Sequence, residues 1–155
     1  MMVEELMREL ARSGLDYEVM AHPPTMTAAD EARAIDVPAD EVAKTLVLTT
    51  DAGYVRAVVS ASERLDLHKV RELLGDGKNT RLATETELVA AYPMFELGAV
   101  PPFGGPAGDR TIFDSSLAQH DSVVVEAGSH RESVRVKTQD LLTITHAEIA
   151  DIRAD

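Results

Sequence analysis

Glu41-Val42-Ala43-Lys44-Thr45-Leu46-Val47-Leu48-Thr49-Thr50 and Gly53-Tyr54-Val55-Arg56-Ala57-Val58-Val59-Ser60, separated only by Asp51-Ala52, decide the fold. Two β-branched runs around Asp-Ala-Gly predict a hairpin, with strands over Thr45–Thr50 and Tyr54–Ser60. Lys44 stands where a helical turn, opened by Asp36-Val37-Pro38, feeds the first strand. The chain has four lysines, at 44, 69, 78 and 137, so a cation placed beside a core strand is informative. A buried ammonium is costly without a partner. Either Lys44 snorkels to water from a strand edge, or it serves an anion or an oxygen that gains negative charge.

Outward from the hairpin, Val3, Leu6, Met7 and Leu10 recur at helical spacing up to Gly14. Tyr17–Met20 reads as a short strand. Thr27 with Asp30 resembles a capping box opening a helix through Ala34. Leu67, Val70, Leu73 and Leu74 form a helical stripe that stops at Gly75, and Thr84–Tyr92 forms another that stops at Pro93. Arg110–Phe113, Ser122–Glu126 and Glu132–Lys137 read as strands and Leu141-Leu142 as part of a short helix. Ile149–Ile152 fits either strand or helix. Strands with interspersed helices and two hairpins predict one domain over residues 1–155, a mixed α/β sheet rather than a strict doubly wound one.

The longest stretch without a regular pattern is Gly98-Ala99-Val100-Pro101-Pro102-Phe103-Gly104-Gly105-Pro106-Ala107-Gly108-Asp109. Glycine lets a ligand approach the backbone and leaves N–H groups free to meet it. The stretch is either a binding loop or a surface crossover between halves of the sheet.

Composition narrows the chemistry. Apolar residues make up 45% of the chain, enough for a core, and no stretch reaches the ~20 apolar residues of a membrane span. With no cysteine, disulfides, thiol nucleophiles and cysteine-bound zinc are excluded. The five histidines, at 22, 68, 120, 130 and 146, include no His-Glu-x-x-His pair, and there is no Gly-x-Ser-x-Gly elbow. No metal is expected. A net charge of −12 opposes general nucleic-acid binding, DNA included, while leaving room for a local grip on one RNA end. Arg131, Arg135 and Lys137 fall two or four apart and predict a basic stripe on one strand face, either solvated or set against an RNA backbone. A cytoplasmic location is the default.

Together these segments resemble the YbaK/ProX family of aminoacyl-tRNA deacylases, relatives of the editing domain inserted in bacterial prolyl-tRNA synthetases. The resemblance runs from His22 and Thr27–Ala32, through Glu41–Leu48, Tyr54–Val59, Leu65–Leu67, Gly98–Gly104 and Ile112–Asp114, to Ala127–His130 and Asp140–Leu142. It implies a strongly curved, barrel-like mixed sheet surrounded by helices. It implies trans-editing hydrolysis of the ester of mischarged tRNA carrying a small amino acid such as Ala, Cys or Ser, on tRNA-Pro among others. A catalytically silent binding or regulatory module is the alternative. Lys44 matches the family's essential lysine, and Gly98, Ala99, Val100, Pro101 and Pro102 match its Gly-x-x-x-Pro loop beside the aminoacyl pocket. Ala99 and Pro101 replace a glycine and a serine found in many members, and Pro101 removes a backbone donor. Thr45, His130 and Asp114 are the further substrate-contact candidates. No cofactor is implied. The partner is the tRNA acceptor end, reached through Arg131, Arg135 and Lys137, or Arg64, Lys69 and Arg71, with help from a synthetase or elongation factor. A lysine of ordinary pKa is protonated at neutral pH and acts through its charge rather than as a base.

Overall fold

The computed structural model describes residues 8, 10–75, 79–104 and 109–155. Helical residues 10–12 put Leu10 in the core; the rest of the expected first helix lies outside the described residues, as does Lys78.

The hairpin forms as its sequence demands. β2 (Val42–Thr50) and β3 (Gly53–Ser60) pair antiparallel from Ala43↔Ser60 to Thr50↔Gly53. At the tip, Thr50 Oγ1 donates to Gly53 O and accepts from Ala52 N, and Gly53 takes φ +119°, a backbone region that L side chains rarely enter. The remaining strands are β1 (Tyr17–Ala21), β4 (Arg81–Leu82), β5 (Arg110–Asp114), β6 (Ser122–Glu126), β7 (Glu132–Lys137) and β8 (Glu148–Ala150). Their order is β1-β7-β6-β2-β3-β5-β8, with β4 also on β2. β2·β6, β3·β5 and β5·β8 are parallel, whereas β1·β7, β6·β7, β2·β3 and β2·β4 are antiparallel. The sheet is mixed, as expected, and its path ends at β1 and β8 without closing on itself. The undecided C-terminal segment is a strand.

Among the described residues, beyond the helical residues 10–12, four helices flank the sheet: α1 (Ala28–Ala34), α2 (Leu67–Leu74) and α3 (Glu85–Ala91), each behind a side-chain cap, and α4 (Thr138–Thr145), which has none. Thr27 accepts from Asp30 N, Asp66 accepts from His68 N and Lys69 N, and Thr84 with Glu87 forms a reciprocal capping box. Such caps each contribute about 1 kcal/mol. Gly75 ends α2 in the left-handed region, the usual helix stop.

Strand alternation sorts the core onto two faces. Leu48, Val55, Ala57 and Val59 pack with Val70 of α2, Ile112 and Ile152, and Val42 and Val124 pack under α1. On the other face Ala43, Val47 and Val58 meet Tyr92, Phe95, Val100, Phe103 and Phe113. That second face carries the Gly98 loop.

Candidate active site

The site arises where β2 changes partners. β2 pairs with β6 only at Val42↔Val124 and Ala43↔Val125, and with β4 only at Leu48↔Leu82 and Thr49↔Arg81. Across Lys44–Leu46 it has β3 on one side and, among the described residues, no strand on the other. Val47 O is taken by Ala83 N. A cavity of about 220 Å³ opens at this gap, lined by Thr45, Leu46, Val47, Leu82, Ala83, Leu88, Gly98 and Val100. Drug-sized pockets run to ~300–1,000 Å³; this one is on the scale of a single aminoacyl group. Among the described residues Thr45 is the one lining residue with a polar side chain.

Three of the sequence candidates therefore meet here: Thr45, Gly98 and Val100. Ala99, Pro101 and Pro102 are buried beside them but do not line the cavity. Ala99 N–H donates to Glu96 O, so this loop donor, expected to be free for a ligand, is already used.

Lys44 is half-buried and, by alternation, lies on the sheet face opposite Thr45. It is the first residue after the β6 pairing ends. Burial lowers the Lys44 pKa, the neighbouring Arg64 lowers it further, and Glu63 opposes both. The lysine is not the ordinary one expected from sequence: its ammonium is destabilised.

Under α1 lies a buried acid cluster that sequence reasoning missed. Burial pushes Glu126 up to about 9, and Glu31 and Glu96 push in the same direction. Burial likewise lifts Glu31 to about 7 against a hydrogen bond from Ser133 Oγ. His22 Nε2 bonds the same Ser133 hydroxyl at 2.9 Å. Among the described residues Glu31 Oε1 and Glu126 Oε2 have no hydrogen-bond partner; burial favours the neutral form, so Glu126 stays protonated at neutral pH while Glu31 is divided between its two forms. The sequence signal was a glutamate closing the apolar run Val123-Val124-Val125.

His130 links that cluster to the loop. Its Nδ1 lies 3.8 Å from Glu126 Oε2, its Nε2 bonds Leu97 O, and its backbone N donates to Glu96 Oε2 at 2.7 Å. Gly98 rests against the ring at φ +81°, and a Cβ added there would lie 3.3 Å from His130 Cε1. The imidazole is thus a prop beneath the loop.

Asp114 is placed elsewhere. It is fully buried and receives hydrogen bonds from Ser116 N and Oγ, Ile152 N and Arg153 N. Burial raises its pKa, but these bonds outweigh burial and hold it below the ordinary carboxylate value. It fastens the C-terminal segment and does not line the cavity.

The basic stripe is interrupted. Arg131 is exposed in the β6–β7 turn, Ser133 on the same face is buried under α1, and Arg135 bonds Ser122 Oγ at 2.9 Å with Glu41 3.9 Å away. Lys137 is exposed just ahead of α4. The groove beside Arg135 and Lys137 also contains Asp16 and Glu18, which offset its charge. Of the alternatives, Lys69 is held by Asp151, Asp155 and Arg153 O, and Arg71 by Thr80 O. Arg64 is the arginine beside Lys44.

Arg56, also missed, is only 3% exposed. Its guanidinium donates to Pro101 O at 3.0 Å and Gly104 O at 2.6 Å, lies 3.7 Å from Asp109 and stacks 4.8 Å from the Tyr92 ring centre. The sequence signal was a charge at a core-facing position of β3.

Comparisons with known proteins fit this geometry. The chain is 27% identical to the multifunctional Ser/Thr-tRNA deacylase ProXp-y of Escherichia coli K12, over 97% of this chain and 92% of that protein. It is 35% identical over 91 residues to a proline–tRNA ligase of Solidesulfovibrio magneticus, which covers 59% of this chain and 15% of the ligase. A crystal structure described as a candidate trans-editing enzyme for prolyl-tRNA synthetase superposes with a TM-score of 0.89 at 28% identity, over 99% of this chain and 97% of that one. The profile of the aminoacyl-tRNA editing domain matches residues 22–144, a span that takes in the parting of β2 from β6, the Gly98 loop and the buried acids alike. The chain belongs to the aminoacyl-tRNA editing domain family.

Proposed function

We propose that this editing hydrolase removes small amino acids, serine and threonine ahead of alanine and cysteine, from the 3′ end of mischarged tRNA. The observation that carries this is the gap in β2: an apolar cavity with one hydroxyl, Thr45, opens beside a strand edge that bears Lys44 next to Arg64. The acyl side chain enters the cavity against Val47, Leu88 and Val100, where Thr45 Oγ1 can pair with a substrate hydroxyl. Lys44 reaches round the open edge towards the ester, and Arg64 meets the terminal phosphate.

The chemistry is ester hydrolysis. Water adds to the carbonyl carbon, and the Lys44 ammonium stabilises the negative charge that forms on the carbonyl oxygen. The bond to the ribose oxygen then breaks, giving the free amino acid and an uncharged tRNA 3′ hydroxyl. No side chain of the cleft is placed as a nucleophile in this reading. The water is activated by the substrate's own neighbouring ribose hydroxyl or side chain.

A −12 surface repels the tRNA body, so recognition is confined to the acceptor end and binding weakens steeply with salt. Likeness to part of a prolyl-tRNA ligase supports a synthetase as the partner that delivers substrate, with tRNA-Pro among the substrates, in the cytoplasm where charged tRNA is used. Arg131 and Lys137, exposed at the two ends of β7, are the outlying RNA contacts of this reading.

The test is a panel of tRNAs charged with Ser, Thr, Ala, Cys and Pro. Loss of the first two ahead of the others, above the spontaneous rate, is the expected result. Release of none of them by the pure protein would identify a catalytically silent binding module instead.

A further inference from the structure

The loop that walls the cavity has a structural problem that its own residues do not solve. Pro101 and Pro102 have no backbone N–H, and the buried carbonyls along such a stretch need donors from outside it. Arg56 supplies them. One arm of its guanidinium meets Pro101 O and the other Gly104 O, while Asp109, beyond the loop, lies 3.7 Å from Nε. A planar fork can serve two acceptors at once, which an ammonium on a flexible stem cannot do in the same geometry. Tyr92, at the end of α3, holds the fork from its face. The result is a buried arginine on a central strand, in an apolar core face that includes Val58, Phe103 and Phe113. Such a charge is weak evidence for stability and better evidence for specifying one arrangement. Burial pushes the Asp109 carboxyl up and Arg56 pulls it back only in part, so this pair is not an optimised ion pair.

We propose that Arg56 is a positioning residue for the editing reaction: it ties the carbonyls of Pro101 and Gly104 to Asp109 and thereby fixes Gly98 and Val100 as one wall of the acyl cavity. This rests on the function proposed above. Arg56 touches no substrate; it acts through the loop.

The test compares Arg56→Met and Arg56→Lys with the wild type. Deacylation of Ser-tRNA is measured as kcat and KM, and amide hydrogen exchange is measured at Ala99, Val100, Phe103 and Gly104. In Arg56→Met these amides should exchange faster, and kcat should fall about 100-fold, the scale on which misplacing a reacting group acts. KM for the tRNA should change little, because the RNA is held elsewhere. Arg56→Lys should recover part of kcat by bonding one carbonyl. The proposal is overturned by wild-type kcat in Arg56→Met, by unchanged exchange in the loop, or by no recovery in Arg56→Lys. It is also overturned if the loss of activity equals the loss of folded protein by circular dichroism. Should Arg56→Met fail to fold, Asp109→Asn takes its place, and unchanged exchange and kcat there overturn the proposal equally. A wild-type protein inactive on every charged tRNA would refute the editing reading instead, and the exchange experiment alone then decides whether Arg56 holds the loop.

Discussion

Lys44→Ala is expected to lower deacylation of Ser-tRNA by about 100- to 1,000-fold, the usual loss when one group that stabilises an oxyanion is removed. The melting temperature should stay level or rise slightly. The sign follows from the site: burial and Arg64 both lower the Lys44 pKa, so the folded state bears a cost for keeping this amine charged at neutral pH, and alanine removes that cost. The wild type carries its own pH signature. The ammonium contributes below its lowered folded pKa, so the enzymatic rate, corrected for spontaneous hydrolysis, should decline as pH rises through that value, before the range of an ordinary lysine. Lys44→Arg stays charged across this range and should lack the decline. A rate that instead rises with pH would make the neutral amine the working form and Lys44 a base.

Gly98→Val should have the next largest effect. Gly98 adopts φ +81°, where a residue with a side chain costs about 1–2 kcal/mol, and its new Cβ would press on His130 Cε1 from 3.3 Å. The ring cannot yield freely, since Leu97 O holds one nitrogen and Glu126 lies beside the other. The loop must therefore move, and the cavity wall with it. We expect kcat/KM to fall about 100-fold and the melting temperature by about 2–8 °C. Gly75→Ala is the control. Gly75 has φ +68° with nothing among the described residues within 4 Å of an added Cβ, so it should lose similar stability and keep its activity. Equal activity losses in the two variants would mean that backbone strain alone, and not the loop's place in the site, explains the Gly98 result.

The architecture was readable in the sequence wherever the signal was local. β-branched runs around Asp51-Ala52-Gly53 gave the central hairpin, and Thr27, Thr84 and Gly75 marked helix ends, whereas the Asp66 cap of α2 emerged only from the structure. Lys44 and the Gly98 segment stood out as candidates because a rare lysine beside an apolar run and a glycine-proline loop are local oddities, and Thr45 through the family resemblance. What stayed hidden depends on contacts far apart in the chain. Glu31 reads as a surface residue of an acidic helix until Ser133, 102 positions later, bonds it in the interior. Arg56 reads only as one charge within an apolar strand until the loop 45 residues on closes over it. Periodicity also mistook Arg131, Arg135 and Lys137 for one continuous face, since it cannot tell that α1 covers Ser133 in the middle. Asp114 looked like a possible substrate contact because the donors that fill its acceptors, Ile152 and Arg153, are not brought near by pattern alone.

The central claim is that an aminoacyl-adenosine lodges where β2 parts from β6, between Lys44 and the Gly98 loop. A stable amide analogue of 3′-seryl-adenosine, titrated into isotope-labelled protein and followed through its assigned amide resonances, addresses this most directly. Shifts concentrated at Lys44–Val47, Gly98–Val100 and Glu126–His130 are the predicted result. Shifts confined to Tyr17, Glu18 and Arg135–Lys137, or none at saturating analogue, would contradict it.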